Sequence, residues 1–255
     1  MSAAGRVEAP VEIDAKGLDF RGLNAKVRAA IEGGARELVI AHAGGQRYIG
    51  TGVTCPQARI EIHGVPGNDL AAFTNGPRIV VRGNAQDAVG NTMNAGTLVI
   101  HGDAGDLLGH SMRGGTIYVK GNAGYRVGIH MKAYGQRFPV VVVGGAVRDY
   151  AGEYMAGGLL VILGLGAPAD RPVAGRYVGT GMHNGEIWMR RPVAGHQLGK
   201  EVGLVPVGDA EWAALAGHLA SYCAEFGLDP QQFQREDYVL LRPTSHRPYG
   251  TLYVY

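Results

Sequence analysis

Apolar residues along this chain come in short runs, and the runs recur. Ile79, Val80 and Val81 are followed nineteen positions on by Leu98, Val99 and Ile100, and nineteen further by Ile117, Tyr118 and Val119. Each run is rich in β-branched residues and bounded by Gly with Asn or Asp, the chemistry of strands and turns. A fixed period of this length marks an array of one repeated structural unit.

The glycines extend the period in both directions. Gly45, Gly64, Gly83, Gly102 and Gly121 are each nineteen apart, and Gly52, Ala71, Gly90, Gly109 and Gly128 follow them by seven. After an insertion of about five residues within 132–139, the pattern resumes at Gly145, Gly152, Met155, Gly158 and Gly164. After a second insertion around 167–175, a last copy runs through Gly179, Met182, Gly185 and Ile187. About seven coils are predicted, each too small to bury its own apolar residues. Stacked at about 4.8 Å per rung they form a rod of roughly 30 Å, an all-β parallel β-helix.

Within a coil, the glycines are expected at corners that need positive φ. Asn84, Asp103 and Asn122 share a column in which side chains hydrogen-bond along the axis, and Met93, Met112, Met131, Met155 and Met182 share another that fills the interior. Residues 1–44 are assigned to an N-terminal cap, with strands at 11–14 and 38–40 and a helix over 25–32 capped by Asn24. Residues 45–191 form the array. Residues 192–255 form a C-terminal region: a helix over 210–226 capped by Asp209 and packed on the last coil, a strand at 238–241, and a tail that lies on the body or on a partner.

Composition changes the picture little. Gly makes up 42 of 255 residues, well above the usual level of about 7%, and the period accounts for the excess. A formal net charge of +2 suggests neither a nucleic-acid footprint nor an acidic tail. Cys55 and Cys223 are isolated, no apolar run spans a membrane, and the first ten residues lack a signal-peptide core, so a soluble cytoplasmic protein is expected.

Candidate chemistry is sparse. Gly109, Ser111 and Gly114 lie one residue away from a nucleophile elbow, but Arg113 stands where the second glycine belongs, so an esterase reading is disfavoured. Gly164, Leu165, Gly166 and Ala167 are a fragment of a phosphate loop with no helix pattern after it. Asp87, Asp106 and Asp149 form an acidic column with no third ligand type beside it. His63, Arg82, His101 and Lys120 lie one coil apart in a basic column. Its plainer reading is a solvated face, splayed or matched by anions; its sharper reading is a docking strip for an acidic partner surface. The candidate partner contacts are these four residues together with Arg242, His246, Arg247 and Tyr249 of the tail. No catalytic, cofactor-binding or metal-binding residue is assigned.

The repeated Gly-Asn/Asp-Ala-Gly phrase, with Gly, then Met-x-x-Gly, then an apolar strand, resembles the GXGXG domain of the glutamate synthase large subunit, which also occurs as a separate protein. The likeness covers roughly residues 11–189 and is closest at Glu153, Tyr154, Met155, Gly157 and Gly158. It implies a right-handed helix and a non-catalytic scaffold that holds glutaminase and FMN synthase subunits in register. The implied partners are a glutamine amidotransferase and an FMN/iron-sulfur synthase subunit, with no nucleic acid, membrane or cofactor of its own; self-association through coil edges stays open. The same repeats are similar to the subunit of formylmethanofuran dehydrogenase, and of the related formyltransferase/hydrolase complex, that carries this domain. That is the alternative reading.

Overall fold

The computed structural model describes residues 9–168, 170–191 and 193–245. The predicted tail contacts His246, Arg247 and Tyr249 lie outside them. Nine strands form one continuous parallel sheet in chain order: β1 (Val11–Asp14), β2 (Glu37–Gly44), β3 (Arg59–Val65), β4 (Asn75–Arg82), β5 (Ala95–Ile100), β6 (Gly115–Val119), β7 (Pro139–Val143), β8 (Ala156–Ile162) and β9 (Asn184–Arg190). Six turns of chain join β3 to β9. Ile60, Ile79, Leu98 and Ile117 stand directly above one another at the nineteen-residue spacing. The predicted parallel β-solenoid is the fold.

Alternation within each strand builds two apolar layers. Inward positions such as Leu98 and Ile100, Ile117 and Val119, and Val141 and Val143 are fully buried, and all five methionines of the repeat fill the same interior. At roughly 1.5–3 kcal/mol for each large apolar side chain taken out of water, this column is the main source of stability. The first insertion leaves the coil as a small excursion closed by an antiparallel bridge between Tyr134 and Arg137. The second is held by Arg191, whose guanidinium donates to the carbonyls of Ala167 (2.9 Å), Pro168 (2.5 Å) and Arg171 (3.2 Å).

At the N-terminus the sheet runs without a break through β1 and β2, and α1 (Phe20–Glu32) covers its interior with Leu23 and Val27. The helix begins earlier than its sequence suggests. Asp19 is the cap, accepting from the Gly22 N–H at 2.7 Å. Asn24 lies inside the helix, where its amide donates to the carbonyls of Phe20 (2.7 Å) and Arg47 (3.0 Å). A buried Asn with two carbonyl acceptors in reach does more there than at a helix end.

At the other end, β10 (Val202–Val205) and β11 (Tyr238–Pro243) continue the sheet antiparallel, in the order β9, β11, β10. Between them α2 (Asp209–Phe226) is capped by Gly208, with Asp209 as its first residue, and closes at Gly227 in the left-handed conformation. It reaches the last coil, as expected, at Trp188 of β9, and it also extends along the outer face of the sheet, where Leu215, Leu219 and Tyr222 share one buried cluster with Val99, Tyr118, Val142, Val161 and Trp188. The Tyr222 hydroxyl donates to the Val119 carbonyl at 3.2 Å, and Arg78 forms a two-pronged pair with Glu225 at 2.6 and 2.9 Å. The cause is legible in the strands: at the register position held by Glu61 in β3, the outward residues are apolar from Val80 and Val99 onward and need a cover.

Candidate partner-contact surface

The columns that look chemical in the sequence are mostly structural in the fold. Asn84, Asp103 and Asn122 each accept the backbone N–H of the next coil, from Asp103, Asn122 and Ala146 at 2.9, 2.7 and 3.0 Å. Asp87, Asp106 and Asp149 do the same for Asp106, Tyr125 and Arg176 at 2.9, 2.9 and 2.8 Å. Carboxylates engaged in ladders to backbone amides are not a cation site, and among the described residues no three His, Cys, Asp or Glu side chains gather for a metal.

These ladders also explain glycines that corners do not. Gly102, Gly121 and Gly145 do not have positive φ; a Cβ at each would stand 2.1, 2.1 and 2.4 Å from the ladder oxygen of the coil before it. Gly90, Gly109 and Gly128, at φ near +70°, are the corner glycines that the period predicts.

Ser111 sits at such a corner with φ of +53°, in a column with Thr92 and His130 that repeats the conformation. Its own N–H donates to the Ile129 carbonyl and the following Met112 N–H to Gly109. Both amides that an oxyanion hole would need are therefore occupied, and no hydrogen bond joins the Ser111 hydroxyl to a described histidine. The Gly164 loop is likewise closed: the N–H groups of Gly164, Leu165 and Ala167 bond to Gly145, Gly144 and Gly164.

The basic column is a linked set. Glu61 lies between His63 (2.9 Å) and Arg82 (3.1 Å), and the hydrogen bond from Arg82 holds its carboxyl below the usual range. Arg82 also donates to His101 Nε2 at 2.8 Å. Because a guanidinium can only donate, that ring nitrogen is unprotonated. Burial, then the charges of Arg82 and Lys120, lowers the His101 pKa, and its ring packs edge-on against Phe226 at the end of α2. Lys120 is exposed. The column borders an open groove of about 430 Å³ on the outer sheet face, where α2 stops and the sheet is left bare. Arg242 is engaged within the chain: it bonds Glu186 at 2.6 Å and Glu211 at 3.4 Å, tying β11 to β9 and α2.

A second outward surface does not show in the sequence pattern. Along one corner His130 stacks on Tyr154 with 5.4 Å between centroids and 9° between planes, and Tyr150 stacks on Tyr177 at 4.9 Å and 16°. Arg126 lies over Tyr150 at 4.9 Å and donates to the buried carboxylate of Glu153 at 2.8 Å. Phe73, Tyr177 and Tyr154 are 54%, 46% and 37% exposed along the same edge. The signal is present but displaced: the insertions shift Tyr150 and Tyr177 off the nineteen-residue grid that carries Leu107 and Arg126.

A filled solenoid with ladder-locked corners and two decorated outer edges defines a β-solenoid repeat protein. The chain belongs to the GXGXG motif family, whose model matches residues 22–233. It is also similar to an uncharacterized protein of Methanocaldococcus jannaschii, 43% identical over 251 residues, which cover 95% of this chain and 96% of the relative. Among the described residues no helix is long and apolar enough to cross a membrane.

Proposed function

We propose that this chain is the structural subunit of a glutamate synthase-like complex, holding a glutamine amidotransferase and an FMN/iron-sulfur synthase subunit in register. Membership of the GXGXG family, whose domain the glutamate synthase large subunit carries, supports the reading. The observation that carries it is the division of labour between inside and outside. Buried apolar columns and backbone ladders lock the rod, while the aromatic edge and the basic column face outward with the Tyr, Arg and His chemistry that partner surfaces use.

The test is reconstitution of the three subunits. Glutamine-dependent glutamate formation requires the rod, whereas glutaminase activity and ammonia-dependent glutamate formation by the separate partners do not. Equal glutamine-dependent rates with and without the rod contradict the proposal.

A further inference from the structure

Between Met131 and β7 the chain takes a longer path than the coil requires. From Met112 to Gly115, and again from Met155 to Gly158, three residues lead from the buried methionine to the strand. From Met131 to Pro139, which is level with Gly115, the chain takes eight. The extra length carries Tyr134 and Phe138, which are 70% and 51% exposed, and Tyr134 is the most exposed large apolar side chain among the described residues. Neither ring meets another ring, a cation or a hydrogen-bond partner among the described residues. Most of each ring stays in water, so the rod gains little stability from either.

The excursion is nonetheless built to hold its shape. Tyr134 and Arg137 each donate their N–H to the other's carbonyl at 3.0 Å, closing a two-residue loop in which Gly135, at φ of +59°, takes the first central place. The coils on either side fix its base. A Cβ on Gly157, in the coil above, would stand 2.8 Å from Ala133 Cβ, and one on Gly114, in the coil below, 3.2 Å from Arg137 Cβ. The coils next beyond carry Ala95 and Asn184 at that place after the methionine. Arg137 also reaches down to Asn94, donating to its Oδ1 at 3.2 Å.

The surroundings of the two rings carry one sign of charge. Lys132 lies one coil above Arg113, since their N–H groups donate to Met112 and Met93 in turn, and both side chains are exposed. Together with Arg137 they place three cations at the base of the excursion. Residues 91–97, 111–116, 131–139 and 154–158, which run through this corner in four successive coils, contain no Asp or Glu. None of the three cations has a carboxylate partner among the described residues.

We propose that this hairpin is a docking anchor: Tyr134 and Phe138 enter an apolar pocket on one of the two partner subunits, and Arg113, Lys132 and Arg137 pair with carboxylates at its rim. The inference rests on the scaffold reading for the partner's identity. Rings held on a braced loop have little conformational freedom left to lose on binding, which suits them to a central aromatic contact. The carboxylate rim follows from the cations, which would otherwise face like charge or lose water without a partner. A nucleic-acid strand fits less well, because it calls for a basic track along its backbone and the cations here are confined to one corner.

The experiment is titration of the full chain with each purified partner subunit, the glutamine amidotransferase and the FMN/iron-sulfur synthase subunit, beside the double variant Tyr134→Ala, Phe138→Ala. One subunit is expected to bind the double variant at least about a hundredfold more weakly, with thermal unfolding of the rod unchanged. Tyr134→Phe keeps the ring and is expected to bind within about threefold of the native chain. Lys132→Gln with Arg137→Gln is expected to slow association about tenfold at low salt and to flatten its salt dependence. Equal affinity of the native chain and the double variant for both subunits overturns the anchor and leaves the scaffold reading standing. A native chain that binds neither subunit overturns both. A single-stranded oligonucleotide that binds the native chain but not the double variant also overturns the anchor, because the hairpin then serves a nucleic acid.

Discussion

Asp103 Oδ1 lies 2.1 Å from the point where a Cβ on Gly121 would stand, and it accepts the Asn122 N–H at 2.7 Å. The glycine is there to let a neighbouring coil's carboxylate reach the backbone. Gly121→Ala must push Asp103 out of the ladder, with an expected loss of about 3 kcal/mol in denaturant unfolding. In an Asp103→Ala background the same change costs less, since the remaining close atom is the Gly102 carbonyl at 2.9 Å. Additive costs would contradict the ladder account.

Two buried tyrosines on the outer layer give opposite expectations. Tyr222 donates to Val119 O, and Tyr222→Phe is expected to cost about 1 kcal/mol. The Tyr238 hydroxyl is buried with no partner among the described residues, so Tyr238→Phe is expected to be neutral or stabilising. Thermal unfolding of the two variants side by side checks the contrast.

Acid should loosen the end of α2. His101 in the folded chain takes up its proton below the ordinary value of 6.5, first because it is partly buried and then because Arg82 and Lys120 are near. The unfolded chain binds the proton more readily in that window, so stability is present above pH 6.5 and falls as pH drops below it. His101→Gln removes part of this slope. The rest persists, because burial shifts His110 and His218 in the same direction. Urea unfolding between about pH 7 and 5 measures it, and an unchanged slope in His101→Gln contradicts the assignment.

The aromatic edge is expected to bind. Tyr154→Ala loses a stacking contact with His130 at a cost of about 1 kcal/mol to stability. Its effect on partner affinity is expected to be larger, about 2 kcal/mol or roughly thirtyfold in Kd, as for a central aromatic contact. Titration calorimetry with the captured partner separates the two, and unchanged affinity removes this edge from the interface.

Much of the fold was legible because the nineteen-residue period records the same physics in every coil. Ile79, Leu98 and Ile117 announce the interior, and Gly109 announces a corner. What the period does not record is how coils touch one another's side chains. The closeness of Asp103 to Gly121 looks in sequence like two unrelated markers, and the acidic column looks like a ligand set until its amide donors are seen. The course of α2 was hidden for a different reason. Its apolar stripe specifies that it packs but not on what, and only the outward residues Val99, Tyr118 and Trp188, read together across three coils, say where. The aromatic edge was lost to insertions that moved Tyr150 and Tyr177 out of step.

Affinity recovery of the tagged protein from its own cells, followed by mass spectrometry of what stays bound, tests the scaffold reading most directly. The account predicts a glutamine amidotransferase and an FMN/iron-sulfur synthase subunit in the same complex. Recovery of a molybdopterin or amidohydrolase subunit instead, or of the chain alone, would contradict it.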